Sequence, residues 1–86
     1  MMWFWPPVQV RVIANAGHTY EVKSVEVAVE QMETWPLPET GKRGPKWRKA
    51  YKLCFDALEG MAEANDAGKA FEAAAKEAGV LRNIAP

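Results

Sequence analysis

The sequence predicts an α+β domain in which an N-terminal β-hairpin packs on three α-helices, in the order ββααα, with an optional short C-terminal strand. Three observations predict it. Apolar and polar residues alternate at period two over 8–14 and again over 19–23. Further on, apolar residues recur at helical spacing in three windows. Proline and glycine clusters separate those windows. With 86 residues there is room for one core, so the domain is taken as residues 1–86.

The first strand is "VQVRVIA" (8–14), with Val8, Val10 and Val12 on one face and Gln9 and Arg11 on the other. "NAGH" (15–18) is turn chemistry, because Asn15 and Gly17 both accept positive φ. "TYEVK" (19–23) then sets Tyr20 and Val22 against Glu21 and Lys23 and completes the hairpin. Pro6 and Pro7 offer no amide donor, so pairing is expected to stop there and leave Trp3, Phe4 and Trp5 outside the strand.

"SVEVAVEQMETW" (24–35) reads two ways. Val25, Val27 and Val29 extend the strand at period two, whereas Val25, Ala28, Met32 and Trp35 form a helical stripe. The helix is preferred, because Ser24 is a good N-cap and Glu26 sits in the first turn, where the helix dipole favours an anion. Pro36 and Pro38 forbid its continuation and make 35–44 a connector. Gly44-Pro45 opens the second helix, with proline at its first position. Its apolar stripe is Trp47, Ala50, Tyr51, Cys54, Leu58 and Met61, and Gly60 marks its end.

Asp66 is expected to cap the third helix, whose inner face is Ala67, Ala70, Phe71, Ala74 and Ala78. Glu72 and Lys76 are spaced for an i,i+4 ion pair. Gly79 closes the helix in the left-handed conformation, with Val80 supplying the usual apolar contact. "VLRNIAP" (80–86) is then a short strand or an irregular tail.

Charge is distributed unevenly along this frame. The chain has 11 basic and 11 acidic residues, yet six of the basic ones lie in 41–54, "GKRGPKWRKAYKLC", and no acidic one does. Lys42, Arg43, Lys46, Arg48, Lys49 and Lys52 therefore form a candidate anion or nucleic-acid patch. Lys46, Arg48 and Lys49 fall in the first turn of the second helix, where the macrodipole is positive. Each cation there costs up to about 0.3–1 kcal/mol at low salt. Three compensators are available: Glu30, Glu33 and Glu39 folding back, the acidic region of a second copy, or an external phosphate at the helix end. Protein carboxylates rank first, within the chain or across an interface. A sequence pI of about 6.6 argues against a uniformly basic nucleic-acid binder.

The order and spacing of short motifs carry a family likeness. They run "W-P-P-V-x-V" (5–10), "S-V-E-x-A" (24–28), "W-P" (35–36), "G-P-x-W-x-x-A" (44–50), a helical Cys54 with "A-L-x-G" (57–60), and "A-F-x-A-A-x-x-x-A-G" (70–79). In these the chain resembles domain of unknown function 982, a family of small alpha-proteobacterial proteins, over nearly its whole length. The resemblance implies a compact domain, a rhizobial-type bacterial origin and cytoplasmic residence, and it implies no activity. The family pattern has an arginine ahead of the aromatic of the third helix, where this chain reads Gly68-Lys69-Ala70-Phe71.

Site chemistry is sparse. His18 is the only histidine and lies in the expected turn, so a metal centre or histidine-based catalysis is not expected. Cys54 is the only cysteine; it cannot form an internal disulfide, suits a reducing compartment, and sits on an apolar stripe as inert core. "GKRG" (41–44) has the spacing of a KH-type loop, but Pro36 and Pro38 remove the helix that must enter it. It also lacks the P-loop spacing. The start "MMWFWPPV" has no basic segment or small-residue cleavage site and does not read as a signal peptide. No apolar run approaches the ~18 residues of a membrane span.

The expectation is a cytoplasmic, non-enzymatic interaction or accessory domain with no cofactor, no metal and no catalytic residues. Its partner would be a second copy or another protein, through Trp3, Phe4 and Trp5 or through an open strand edge. Nucleic acid or a phosphate ligand at the basic segment is the alternative.

Overall fold

A computed structural model describes residues 2–11, 19–38 and 40–82. Val12, the turn residues 15–18 and Glu39 lie outside the described residues. The element order is β1 (Trp3–Arg11), β2 (Thr19–Ser24), α1 (Val25–Thr34), α2 (Pro45–Leu58) and α3 (Ala64–Ala78). This is the ββααα arrangement expected.

β1 and β2 pair antiparallel, with Val8 opposite Val22, Gln9 opposite Glu21, Val10 opposite Tyr20 and Arg11 opposite Thr19. Val8, Val10 and Val22 turn to the core and the polar partners to solvent, as period two requires. The strand starts earlier than the prolines suggest. Trp3 pairs with Ser24, and the register is broken between Trp3 and Val8, so Phe4–Pro7 stand against Lys23 alone. Pro6 and Pro7 occupy that irregular stretch, where no ladder amide is missed. The placing of Trp3–Trp5 outside the strand is therefore corrected.

One residue of that trio has a different role altogether. Phe4 is 4% exposed and stacks obliquely on Phe71, whose ring also meets Trp35. It belongs to the core and is withdrawn from the surface candidates. Gly68 makes room for it: a Cβ there would fall 2.6 Å from Phe4 Cδ1. The aromatic of β1 thus lies directly on the α3 backbone.

α1 follows β2 without a loop. Ser24 is buried, and its Oγ accepts the Val27 N–H at 3.3 Å, while the Val25 N–H donates to the Met2 carbonyl. The helical reading of 24–35 holds for this reason: a cap residue stands where the strand ends. α2 starts at Pro45 after Gly44, and Gly60 takes φ +80 just beyond its end. Gly79 takes φ +75 and ends α3, with the Val80 N–H reaching the Ala75 carbonyl at 3.0 Å.

Four details differ from expectation. Glu63, not Asp66, is the N-cap of α3, with no side-chain capping bond, and Asp66 sits in the first turn. The inner face of α3 includes Gly68 and Ala75 in place of Ala70 and Ala78. Met61 is 67% exposed and leaves the α2 stripe, because the helix has already ended. Glu72 and Lys76 do not close to ion-pair distance; both line a groove beside Val8 and Arg82.

The segment after α3 pairs with the outer edge of β1. Arg11 N–H donates to the Val80 carbonyl and Arg82 N–H to the Gln9 carbonyl, both at 2.8 Å, around a Val10–Leu81 bridge. The expected C-terminal strand is this short pairing.

Candidate functional site

The basic segment begins in the connector and runs up α2. Its residues have separate fates. Arg43 is drawn inward: its Nη1 donates to the Trp35 carbonyl at 2.7 Å and to the Pro36 carbonyl at 3.4 Å. Its guanidinium also lies 4.7 Å from the Trp47 ring centroid. α1 carries no basic residue in its last turn, so Arg43 supplies the cation that the helix end favours. Trp47 serves the same end, because its Nε1 donates to the Met32 carbonyl at 3.1 Å.

From Trp47 an aromatic ladder climbs α2 at i,i+4 spacing. Trp47 stacks on Tyr51 at 4.6 Å between centroids, and Tyr51 meets Phe55 edge-on at 4.9 Å. The Tyr51 hydroxyl donates to Glu33 at 2.9 Å, and that hydrogen bond raises its pKa. With Arg43 at i−4 and Tyr51 at i+4 both against its ring, Trp47 is a structural bridge to α1.

The amino end of α2 is occupied as well. The Glu77 carboxylate, from the last turn of α3, accepts the N–H groups of Lys46 and Trp47, each at 3.3 Å. Gly44 permits the approach, since any Cβ at that position would overlap the carboxylate. An external phosphate at this helix end would have to displace Glu77. At this helix end the carboxylate is therefore Glu77, and neither Glu30 nor Glu33 takes that place. Glu33 holds Tyr51, Glu30 is exposed, and Glu39 lies outside the described residues. A signal for Glu77 was present: an anion in the last turn of α3 is as misplaced for its own helix as the cations are at the start of α2. The two faults cancel each other.

Of the remaining cations, Lys52 pairs with Asp56 at 3.1 Å, while Lys42 and Arg48 are exposed. Lys46 and Lys49 line an open groove of about 400 Å³ between α2 and α3, floored by Leu53 and Ala73. Lys69 and Asp66 of α3 complete it. None of these three lysines is in ion-pair contact with a described carboxylate. Lys69 was not among the sequence candidates, because only the packing of α3 on α2 brings it there.

Trp3 and Trp5 remain as surface candidates, 60% and 76% exposed. Their backbone is fixed, with Trp3 in the sheet and the Trp5 N–H bound to Asn65 Oδ1 at 2.9 Å. Cys54 is fully buried, and burial pushes its thiol up to about 11. Glu26 accepts the Met2 N–H at 3.0 Å, and this bond holds its carboxyl below the usual value. No described helix is long and apolar enough to cross a membrane.

The profile of a family described as Protein of unknown function (DUF982) matches residues 6–82. The chain belongs to that family. The match covers β1 from Pro6 onward, β2, all three helices and the closing segment, and it brings no activity with it. No curated protein and no solved structure matches the chain.

Proposed function

We propose that this chain is a small non-enzymatic interaction or accessory domain that acts in the cytoplasm by self-association. The observation that carries the reading is the one-sided sheet. β1 is covered on one edge by residues 80–82 and on the other by β2, whereas no described residue pairs with the outer edge of β2. An open edge is a template for another strand. Trp3 and Trp5 add exposed apolar anchors on a fixed backbone, the kind of side chain that dominates interface energies. The non-enzymatic part rests on the thiol of Cys54, which is buried, protonated and out of reach of substrate. A single thiol of this kind also suits a reducing compartment.

Sedimentation velocity from low micromolar to several hundred micromolar tests the reading. A concentration-dependent dimer is expected, and a monomer throughout would overturn it. A Trp3→Ser/Trp5→Ser variant that dimerises unchanged would assign the two indoles to a different protein partner.

A second reading, weak binding of nucleic acid or a phosphate ligand, is supported by the groove that Lys46, Lys49 and Lys69 line without an ion-pair partner among the described residues. Fluorescence anisotropy with labelled single- and double-stranded oligonucleotides, at low and near-physiological salt, tests it. Binding that weakens steeply with salt and is lost in Lys49→Glu/Lys69→Glu supports this reading. No binding at low salt removes it.

A further inference from the structure

The direction of the backbone groups along the sheet decides what the open edge can pair with. Gln9 and Arg11 turn theirs toward residues 80–82, through the Arg82–Gln9 and Arg11–Val80 hydrogen bonds. Direction alternates along a strand, so Val8 and Val10 face β2, and their partners Val22 and Tyr20 face β1. Thr19 and Glu21 are left presenting N–H and C=O to the outer edge, and Lys23 its N–H alone, because the Val25 N–H bond to the Met2 carbonyl makes Trp3–Ser24 a non-hydrogen-bonded pair and turns the Lys23 carbonyl toward β1. Among the described residues nothing meets them.

A second copy of β2 can pair antiparallel only in registers that set outward-facing residues opposite one another. Centring the two-fold axis on Glu21 opposes two carboxylates, and centring it on Lys23 opposes two ammonium groups. Both are unfavourable. Centring it on Tyr20 sets Glu21 against Thr19 and leaves Lys23 opposite a residue beyond the strand. Only an axis at Val22 sets Glu21 opposite Lys23 of the second copy, twice, with Tyr20 opposite Ser24. The segment "TYEVKS" is electrostatically self-complementary about its fourth residue.

We propose that the protein dimerises by antiparallel pairing of β2 with β2 of a second copy about a two-fold axis at Val22. This rests on the self-association reading and specifies its register. The Lys23 N–H of each copy donates to the Glu21 carbonyl of the other, two bonds about the axis, and the two sheets become one. The charged side chains lie on the solvent side, where Glu21 already accepts the Gln9 amide at 2.9 Å and stands 3.6 Å from its own Lys23. They can re-pair across the axis without being buried.

The test is a charge swap read by sedimentation velocity, with circular dichroism to verify folding. Glu21→Lys and Lys23→Glu each place like charges opposite at both positions, and each is expected to weaken dimerisation at least about tenfold. An equimolar mixture of the two variants restores a dimer, since one edge is then wholly basic and the other wholly acidic. In the unmodified protein, hydrogen exchange at the Lys23 amide slows as concentration rises. Dimers that ignore both substitutions and leave that amide unprotected overturn this register while self-association stands. A monomer at every concentration overturns both.

Discussion

Glu77 holds the Trp47 amide at 3.3 Å across thirty residues of sequence, so the end of α3 caps the beginning of α2. The same carboxylate takes the Lys46 amide, and α2 has no capping side chain of its own. Glu77→Ala is expected to destabilise the fold by about 1–2 kcal/mol, the range of a lost N-cap together with a lost dipole partner. Glu77→Gln keeps an acceptor and loses the charge, so it should fall between the two. Urea denaturation of the three proteins checks the order.

The contact between Phe4 and Gly68 makes a sharper demand. Alanine is the better helix former by about 1 kcal/mol, so Gly68→Ala would stabilise an open helix. Here its Cβ meets the Phe4 ring, and overpacking of this kind costs about 1–3 kcal/mol. A net loss of about 1–2 kcal/mol is expected. In a Phe4→Ala background the same substitution should turn neutral or favourable, and the double-mutant cycle measures the difference.

Arg43 and Arg48 stand five residues apart in the same basic run but should respond differently. Arg43→Lys loses the planar fork on the Trp35 and Pro36 carbonyls and the stacking on Trp47, at a cost of about 1–2 kcal/mol. Protease cleavage within 36–42 should rise with it. Arg48→Ala touches only solvent and should stay within about 0.5 kcal/mol of the parent in thermal unfolding.

The Cys54 thiol predicts a pH dependence of known sign. Burial raises its folded pKa to about 11, above the ordinary range of a thiol, so the folded state disfavours the thiolate. The contribution is fully present below pH 9 and is lost as pH rises through 11, up to about 2–3 kcal/mol in all. Denaturation from pH 8 to pH 11 should show the decline, and Cys54→Ala should flatten it. In the native protein at pH 8 the thiol should react with a disulfide reagent only as fast as the fold opens.

What the sequence made legible was local. Ser24 as a cap, Pro45 at the first helical position and Gly79 in the left-handed conformation are each decided by one residue's own chemistry, and each is found where expected. The start of β1 was hidden, because the rule that proline ends pairing holds for a regular ladder and Pro6 and Pro7 sit where the ladder is irregular. Phe4 followed from the same error. Lys69 was hidden for another reason, and Glu77 showed only as an anion misplaced in its own helix: both act on α2 from α3, and helix–helix packing sets which residues of two helices meet. The excess of cations in 41–54 was legible as an imbalance, and part of it is resolved by Arg43 closing one helix end and Glu77 another.

The pairing of Gln9 and Arg11 with Arg82 and Val80 joins residues some seventy positions apart, and it bears on how the chain reaches its fold. β1 leaves the ribosome some seventy residues ahead of its second neighbour. Until 80–82 arrives, a nascent chain carries a valine-rich strand with one bare side, the form most prone to stick to other chains. Closing so long a loop also slows the search. A translational pause or cleavage before residue 80 would therefore yield an aggregating fragment, and chaperones would be expected to engage β1 during synthesis.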